Sequence, residues 1–316
     1  MPQRFNSIAV VGAGAVGSFY GALLARAGHL VTLIGRAAHV HAIEQDGLRL
    51  DVAGRVDVVH PGASVSLASV SGADLVLFCV KSTDTDAVAR EMAPLLAPHA
   101  VVVSLQNGVE NAPTIANHVR QVVIPAAVYV ATALSEPGMV RHFGRGDLVI
   151  GALNASSARD ESVTATLRDL VGVFATAGVN VTISSDVMAE LWSKLMVNCA
   201  YNAVSGLAQA TYEKLTSVPE VRAIQEAVVR EVVALAAAEG VNLPLEDSLR
   251  AMECIALDMP SQLSSTAQDM ARGKSSEIDH LNGFVVRRGR ELGIPTPVNQ
   301  TLHALVKLVE AGHGGC

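Results

Sequence analysis

Aromatic residues are scarce in this sequence. Phe, Tyr and Trp make up 3% of 316 residues, and there is one tryptophan, Trp192. A core must therefore be filled mainly by Ala, Val and Leu, packed closely between helices and strands. Cysteine is scarce too. The four (Cys79, Cys199, Cys254, Cys316) are widely scattered and lack metal-ligand spacing. That argues against a metal centre or a disulfide framework and fits incidental thiols in a reducing cytoplasm. No apolar stretch is long and uninterrupted enough to span a bilayer. The start lacks the basic-then-apolar pattern of a secretory leader, so a cytoplasmic location is expected. Positive charge is in deficit: the formal net charge is −7 and both signs are interspersed. Nucleic acid is therefore not the expected partner. There is no internal repeat and no low-complexity segment, and the terminal Gly-Gly-Cys is expected to fray.

Half of the residues are apolar, ample for a core, and the length favours two domains. The first half alternates strand and helix signals. Strands are expected at 7–11, 30–34, 74–80 and 100–105, with helices at 15–27, 37–45 and 84–96 between them. A hairpin is expected across 48–59, a β-rich stretch over 122–150 turning at Glu136-Pro137-Gly138, a helix at 158–177 and a last strand at 179–183. This succession predicts a doubly wound α/β sheet of Rossmann type. After Ser184-Ser185-Asp186 the pattern turns helical, with helices expected at 187–209, 220–239, 245–258, 276–292 and 297–311. The boundary is placed near residue 185: a nucleotide-binding domain over 1–185 and an all-α domain over 186–316.

Ile8–Val11 reads as a buried strand running into Gly12-Ala13-Gly14-Ala15-Val16-Gly17. Gly12, Gly14 and Gly17 have the spacing of a dinucleotide fingerprint, with a strand before and a helix after. Gly12 permits the tight turn, Gly14 lets a pyrophosphate approach the backbone, and Gly17 allows close helix–strand packing. Where an NAD site carries an acid at the end of its second strand, this one has Gly35-Arg36. A guanidinium there suits a 2′-phosphate and predicts NADP, although a solvated surface charge is the alternative. Lys81 follows a central apolar strand, where it faces cofactor or is an ordinary strand-end charge. Asn107 ends the next strand, as a turn residue or as a hydrogen-bonding group for ribose or substrate.

Lys194, Asn198 and Asn202 recur every four residues in a helical segment, so they share one face. Their flanks are apolar, so this polar stripe either faces a cavity or forms a structural seam. An ammonium can stabilise and protonate the alkoxide formed when a carbonyl is reduced, while amides hold substrate without adding charge. The glycine-rich turn and this stripe lie in different halves, which predicts substrate held where the halves meet.

At this point the chain resembles the ketopantoate reductase (2-dehydropantoate 2-reductase) family over nearly its whole length. The resemblance rests on Gly12–Gly17, Arg36, Val80-Lys81-Ser82, Gln106-Asn107-Gly108 and the run Lys194–Asn202. It continues through Ser264–Asp269, Ser276–Asp279 and Asn282-Gly283-Phe284. It implies NADPH-dependent reduction of ketopantoate to pantoate in pantothenate (vitamin B5) biosynthesis, with Lys194 as proton donor. Asn198 and Asn202 would hold substrate, Ser265 its carboxylate, and Asn107 would lie between cofactor and substrate. Glu277 would contact the cofactor, with Gly12, Ala13, Gly14, Ala15, Val16, Gly17, Arg36 and Lys81. Ser265 and Glu277 carry no signal of their own; Glu277 reads first as dressing of a helix start. One departure stands out: some members have a further substrate-contacting asparagine after the position of Asn202, but Gly206–Tyr212 contains none. Another 2-oxo acid reductase, a related hydroxyacid dehydrogenase and a non-catalytic nucleotide sensor remain alternatives. The expected partner is a small 2-oxo acid, with no membrane and no metal, and a homodimer is left open.

Overall fold

The computed structural model describes residues 4–313. The terminal Gly-Gly-Cys, and Cys316 with it, lies outside the described residues. The chain divides into two compact units between Met188 and Ala189.

The first unit comprises β1 (Ser7–Val11), α1 (Ala15–Arg26), β2 (Leu30–Ile34), α2 (Ala37–Asp46), β3 (Leu48–Val52), β4 (Arg55–Val59) and β5 (Gly62–Ser64). It continues with β6 (Leu75–Phe78), α3 (Thr85–Met92), β7 (Val101–Ser104), α4 (Asn111–His118), β8 (Val122–Glu136), β9 (Met139–Ile150), α5 (Glu161–Thr176) and β10 (Val181–Ile183). The strands run in the order β4-β3-β9-β8-β7-β6-β1-β2-β5, with β10 beside β9. From β5 to β8 every neighbour pair is parallel. β1 pairs with β2 on one side and β6 on the other. The connections thus reverse direction at β1, the point where doubly wound sheets bind ligands.

The apolar strands are buried on both faces, as parallel strands are. Successive side chains point to opposite faces. Ile8, Val10, Leu75, Leu77, Val101 and Val103 join one core with residues of α1 and α5. Ala9, Val11, Val76, Phe78 and Val102 join another with Ala89 and Met92 of α3 and Ile115 of α4. The hairpin β8–β9 is antiparallel and turns where the Glu136-Pro137-Gly138 signal places it.

The second unit is helical: α6 (Val187–Ala208), α7 (Tyr212–Thr216), α8 (Pro219–Ala238), α9 (Leu245–Asp258), α10 (Ser265–Ala271), α11 (Asn282–Leu292) and α12 (Pro297–His313). The single helix expected over 276–292 is instead a short 3-10 turn, Ile278–His280, followed by α11. The chain breaks at Leu281 (φ −109°, ψ −103°). Side chains of α12 account for the break. Glu310 accepts hydrogen bonds from both the backbone N–H (2.8 Å) and the hydroxyl (2.6 Å) of Ser276. His303 and Lys307 hold the carboxylate of Asp279 at 2.7 and 2.8 Å. These tertiary bonds override helical periodicity.

Candidate active site

Four connections at the carboxyl ends of β2, β1, β6 and β7 carry the expected cofactor residues. The turn after β1 is built by its glycines. Gly12 has φ +97°, a conformation costly for any other residue. A Cβ there would meet the Val80 nitrogen at 2.5 Å and the Cys79 carbonyl carbon at 2.6 Å, the backbone leaving β6. A Cβ on Gly17 would meet the Gly12 oxygen at 2.4 Å, so α1 sits hard against the turn. Around Gly14 a Cβ would meet nothing within 4 Å. Two glycines are thus demanded by packing, and the middle one borders open space beside the N-terminus of α1. That start of α1 has no acid in its first turn. Such a cradle suits a pyrophosphate.

The end of β2 is tied to the same turn, because Gly12 and Ala13 both donate to the Ile34 carbonyl (3.0 and 2.9 Å). Arg36 follows as the exposed N-cap of α2. Lys81 is half-buried in the connection from β6 to α3, three residues beyond the strand. Asn107 is half-buried in the connection from β7 to α4.

A buried amide–hydroxyl network that the sequence alone does not reveal holds the last two connections together. Gln106 donates to the Val80 carbonyl (3.0 Å) and the Thr85 hydroxyl (2.7 Å) and accepts from Ser104 (3.1 Å). Thr85 donates to Asn111 (2.8 Å), which donates to Ser82 (3.1 Å) and to the Asn107 carbonyl (2.5 Å). Gln106, Thr85, Ser82 and Asn111 are all buried. They fix the backbone around Lys81 and Asn107. The only trace in the sequence is polar residues close behind two apolar strands, a pattern shared by ordinary turns.

In the second unit, α6 carries Lys194, Asn198 and Asn202 on one face. Lys194 and Asn198 are half-buried, and Asn202 is 3% exposed. Among the described residues, the side-chain amides of Asn198 and Asn202 show no hydrogen-bond partner, and neither belongs to the fully buried unpaired polar atoms, so both still reach solvent. Amides that are neither spent on the protein nor sealed from solvent remain available to a ligand. Ser265 opens α10 and is exposed. Its neighbour Ser264 caps α10, accepting from the Ala267 N–H (3.0 Å) and donating to the Asn202 carbonyl (3.3 Å). The start of α10, Ser265 included, is therefore pinned beside Asn202. Glu277 is half-buried, directly after the Ser276 that Glu310 holds. Burial pushes the thiol of Cys199, the residue after Asn198, well above its ordinary pKa, which keeps it neutral and disfavours it as a nucleophile. Among the described residues no group of His, Cys, Asp or Glu could hold a metal ion, and no helix is long and apolar enough to cross a membrane.

Residues 8–155 match the family model described as "Ketopantoate reductase PanE/ApbA", and residues 186–310 match "Ketopantoate reductase PanE/ApbA C terminal". A 2-dehydropantoate 2-reductase of Halobacterium salinarum is 36% identical, over 96% of this chain and 98% of that protein. A crystal structure of a PanE/ApbA family ketopantoate reductase from Ralstonia eutropha is 52% identical, with a TM-score of 0.89 over 98% of this chain and 99% of that one. The fold is also shared, at 24% identity and a TM-score of 0.90, by a D-mandelate dehydrogenase solved with NADH and anilino(oxo)acetate; 98% of this chain and 99% of that one are covered.

Proposed function

The chain belongs to the ketopantoate reductase family, and from that premise we propose that it reduces 2-dehydropantoate to pantoate with NADPH. The family's reductases depend on NAD(P); the choice of NADP, the substrate and the residue roles are this proposal's own. The observation that carries it is the α6 face, where two amides that show no partner among the described residues and still reach solvent follow a lysine at four-residue steps.

Gly12, Ala13, Gly14, Ala15, Val16 and Gly17 would cradle the pyrophosphate, with Lys81, Asn107 and Glu277 contacting the rest of the cofactor. Arg36 would fork onto a 2′-phosphate. When bound, the nicotinamide supplies the hydride. Asn198 and Asn202 orient the 2-oxo acid by hydrogen bonds, and Asn107 reaches it from the cofactor side. Ser265 takes the carboxylate. The Lys194 ammonium lies against the ketone oxygen, stabilises the developing alkoxide and gives up a proton to it.

A second reading keeps the chemistry and changes the acid. Gly206–Tyr212 offers no asparagine for a substrate hydroxyl. A Cβ on Gly206 would meet the Met270 sulfur at 2.8 Å, so the end of α6 packs closely on α10 there. Turnover of NADPH and NADH against a panel of 2-oxo acids with and without a hydroxyl beyond the ketone decides between the readings. A clear preference for 2-dehydropantoate with NADPH is expected. Equal use of NADH would overturn the cofactor assignment, and preference for an acid without the hydroxyl would favour the second reading. Light scattering of the full chain reads whether a homodimer belongs to the picture.

A further inference from the structure

His39 lies in the first turn of α2, three residues after Arg36, and is 6% exposed. Its two ring nitrogens are both engaged. Nδ1 lies 2.9 Å from the Gly138 backbone nitrogen, and Nε2 lies 3.0 Å from the Ser18 hydroxyl. The Gly138 N–H can only donate, so Nδ1 must accept, and the ring proton sits on Nε2. Nε2–H then donates to Ser18, whose own proton goes to the Ala13 carbonyl at 3.3 Å. Burial holds the imidazole below its usual pKa, in keeping with the neutral tautomer.

This relay joins three pieces of the first unit. One end is Ala13, inside the glycine-rich turn, whose N–H is already held by Ile34 at the end of β2. The middle is the first turn of α2, where the N–H groups of His39 and Val40 both bond to the Arg36 carbonyl at 3.0 Å. The other end is the β8–β9 hairpin tip. Gly138 has φ +75°, and a Cβ there would meet the Ala42 Cβ of α2 at 2.9 Å. The Gly138 carbonyl is fixed in turn by the Arg49 N–H (2.9 Å). Gly35, just before Arg36, lies so close to the turn that a Cβ would meet the Ala13 Cβ at 2.8 Å. Neither contact leaves slack. His39 thus links α2 directly to the hairpin tip and, through Ser18 of α1, to the turn.

We propose that His39 is a positioning residue for cofactor selection: its relay holds the start of α2, and with it Arg36, at the distance from the glycine-rich turn that a 2′-phosphate-bearing dinucleotide requires. This rests on the reading of Arg36 as the 2′-phosphate contact. His39 touches no ligand; it acts through Arg36. A nucleotide lacking the 2′-phosphate is indifferent to where Arg36 stands, and the Ala13 N–H keeps its bond to Ile34 when the relay is cut, so the effect of His39 falls mainly on NADPH.

The test uses the full chain and direct binding, which does not depend on the substrate. NADPH and NADH dissociation constants are read from nicotinamide fluorescence for the parent, Arg36→Ala, His39→Ala, His39→Asn and Ser18→Ala. His39→Ala is expected to weaken NADPH about tenfold, on the order of one charge-assisted hydrogen bond. NADH should change less than about twofold on the same scale. In His39→Asn the amide oxygen takes the place of Nδ1 and accepts from Gly138, so most of the NADPH affinity returns. Ser18→Ala gives a smaller, equally NADPH-selective loss. Equal losses for both nucleotides, or no recovery with asparagine, overturn the proposal. If His39→Ala does not fold, His39→Asn and Ser18→Ala decide by the same selectivity. A parent that binds NADH as tightly as NADPH brings down the Arg36 reading itself. Should Arg36→Ala abolish the preference while the His39 and Ser18 variants keep it, only the relay falls.

Discussion

A hydride delivered to a ketone carbon leaves negative charge on the oxygen, and Lys194 is the residue assigned to that charge. Lys194→Ala should melt within a few degrees of the parent, since the side chain is only half-buried. It should lose at least about 100-fold in kcat, the scale of a general acid. Near-normal turnover would show that water or another group protonates the alkoxide. Asp74 gives a prediction of a different kind. Its carboxylate accepts the N–H groups of Asn6 (2.9 Å) and Ser7 (3.0 Å) and faces His99 (3.1 Å), tying the start of β6 to β1. Burial would raise its pKa, but the bonds from Ser7, Asn6 and His99 outweigh it and hold the carboxyl below the usual range. The stability this gives is therefore complete above the unfolded value of about 3.9 and is lost as pH falls through the lower folded value. Asp74→Asn should cost about 2 kcal/mol at pH 7. Melting curves at descending pH should show the parent's advantage closing only below that unfolded value; a constant gap would refute the linkage. At this scale the sequence was most legible where a residue type has one physical use. Gly12 and Gly17 are glycine because backbone stands where a Cβ would be, whereas a Cβ on Gly14 would meet nothing within 4 Å. Gln106 and Asn111 were not legible: their partners come from the other strand connection, which a single sequence does not place beside them.

Elements with long apolar periodicity were read nearly to the residue: 187–209 against α6 (Val187–Ala208), and 245–258 as α9 (Leu245–Asp258). Those missed are short. β5 has three residues, α7 five, α10 seven and α4 eight, and none is long enough for its own pattern to outweigh its neighbours. The segment 276–292 was misread because Glu310, His303 and Lys307, about thirty residues downstream, bend it. That makes Glu310 a handle on Glu277. Its side chain is only 8% exposed and serves both polar groups of Ser276. Glu310→Ala leaves those groups unpaired and should cost about 2 kcal/mol in denaturant unfolding. If Glu277 contacts the cofactor, NADPH binding should weaken as well. Lost stability with unchanged NADPH affinity would leave Glu310 a purely structural latch and count against Glu277.

Across the whole molecule, the two kinds of candidate residue divide between the units. Gly12–Gly17, Arg36, Lys81 and Asn107 belong to the first, at the ends of four adjacent parallel strands. Lys194, Asn198, Asn202, Ser265 and Glu277 belong to the second. The proposal therefore separates cofactor affinity from substrate affinity, and Asn202 tests the separation. Its amide shows no partner among the described residues, while its backbone carbonyl holds the cap of α10 through Ser264. Asn202→Ala keeps that carbonyl and removes only the amide, so α10 and Ser265 should stay where they are. The substrate KM should rise about ten- to a hundredfold, as expected when a buried hydrogen bond to a polar substrate is lost. The NADPH dissociation constant should remain within about twofold, a difference well below that of one hydrogen bond. Stability should hold, because the amide makes no hydrogen bond within the protein that the substitution would remove. A variant that lost NADPH affinity instead, or one that lost stability while binding substrate normally, would show Asn202 to be part of a structural seam. The α6 face would then no longer support the proposed reduction.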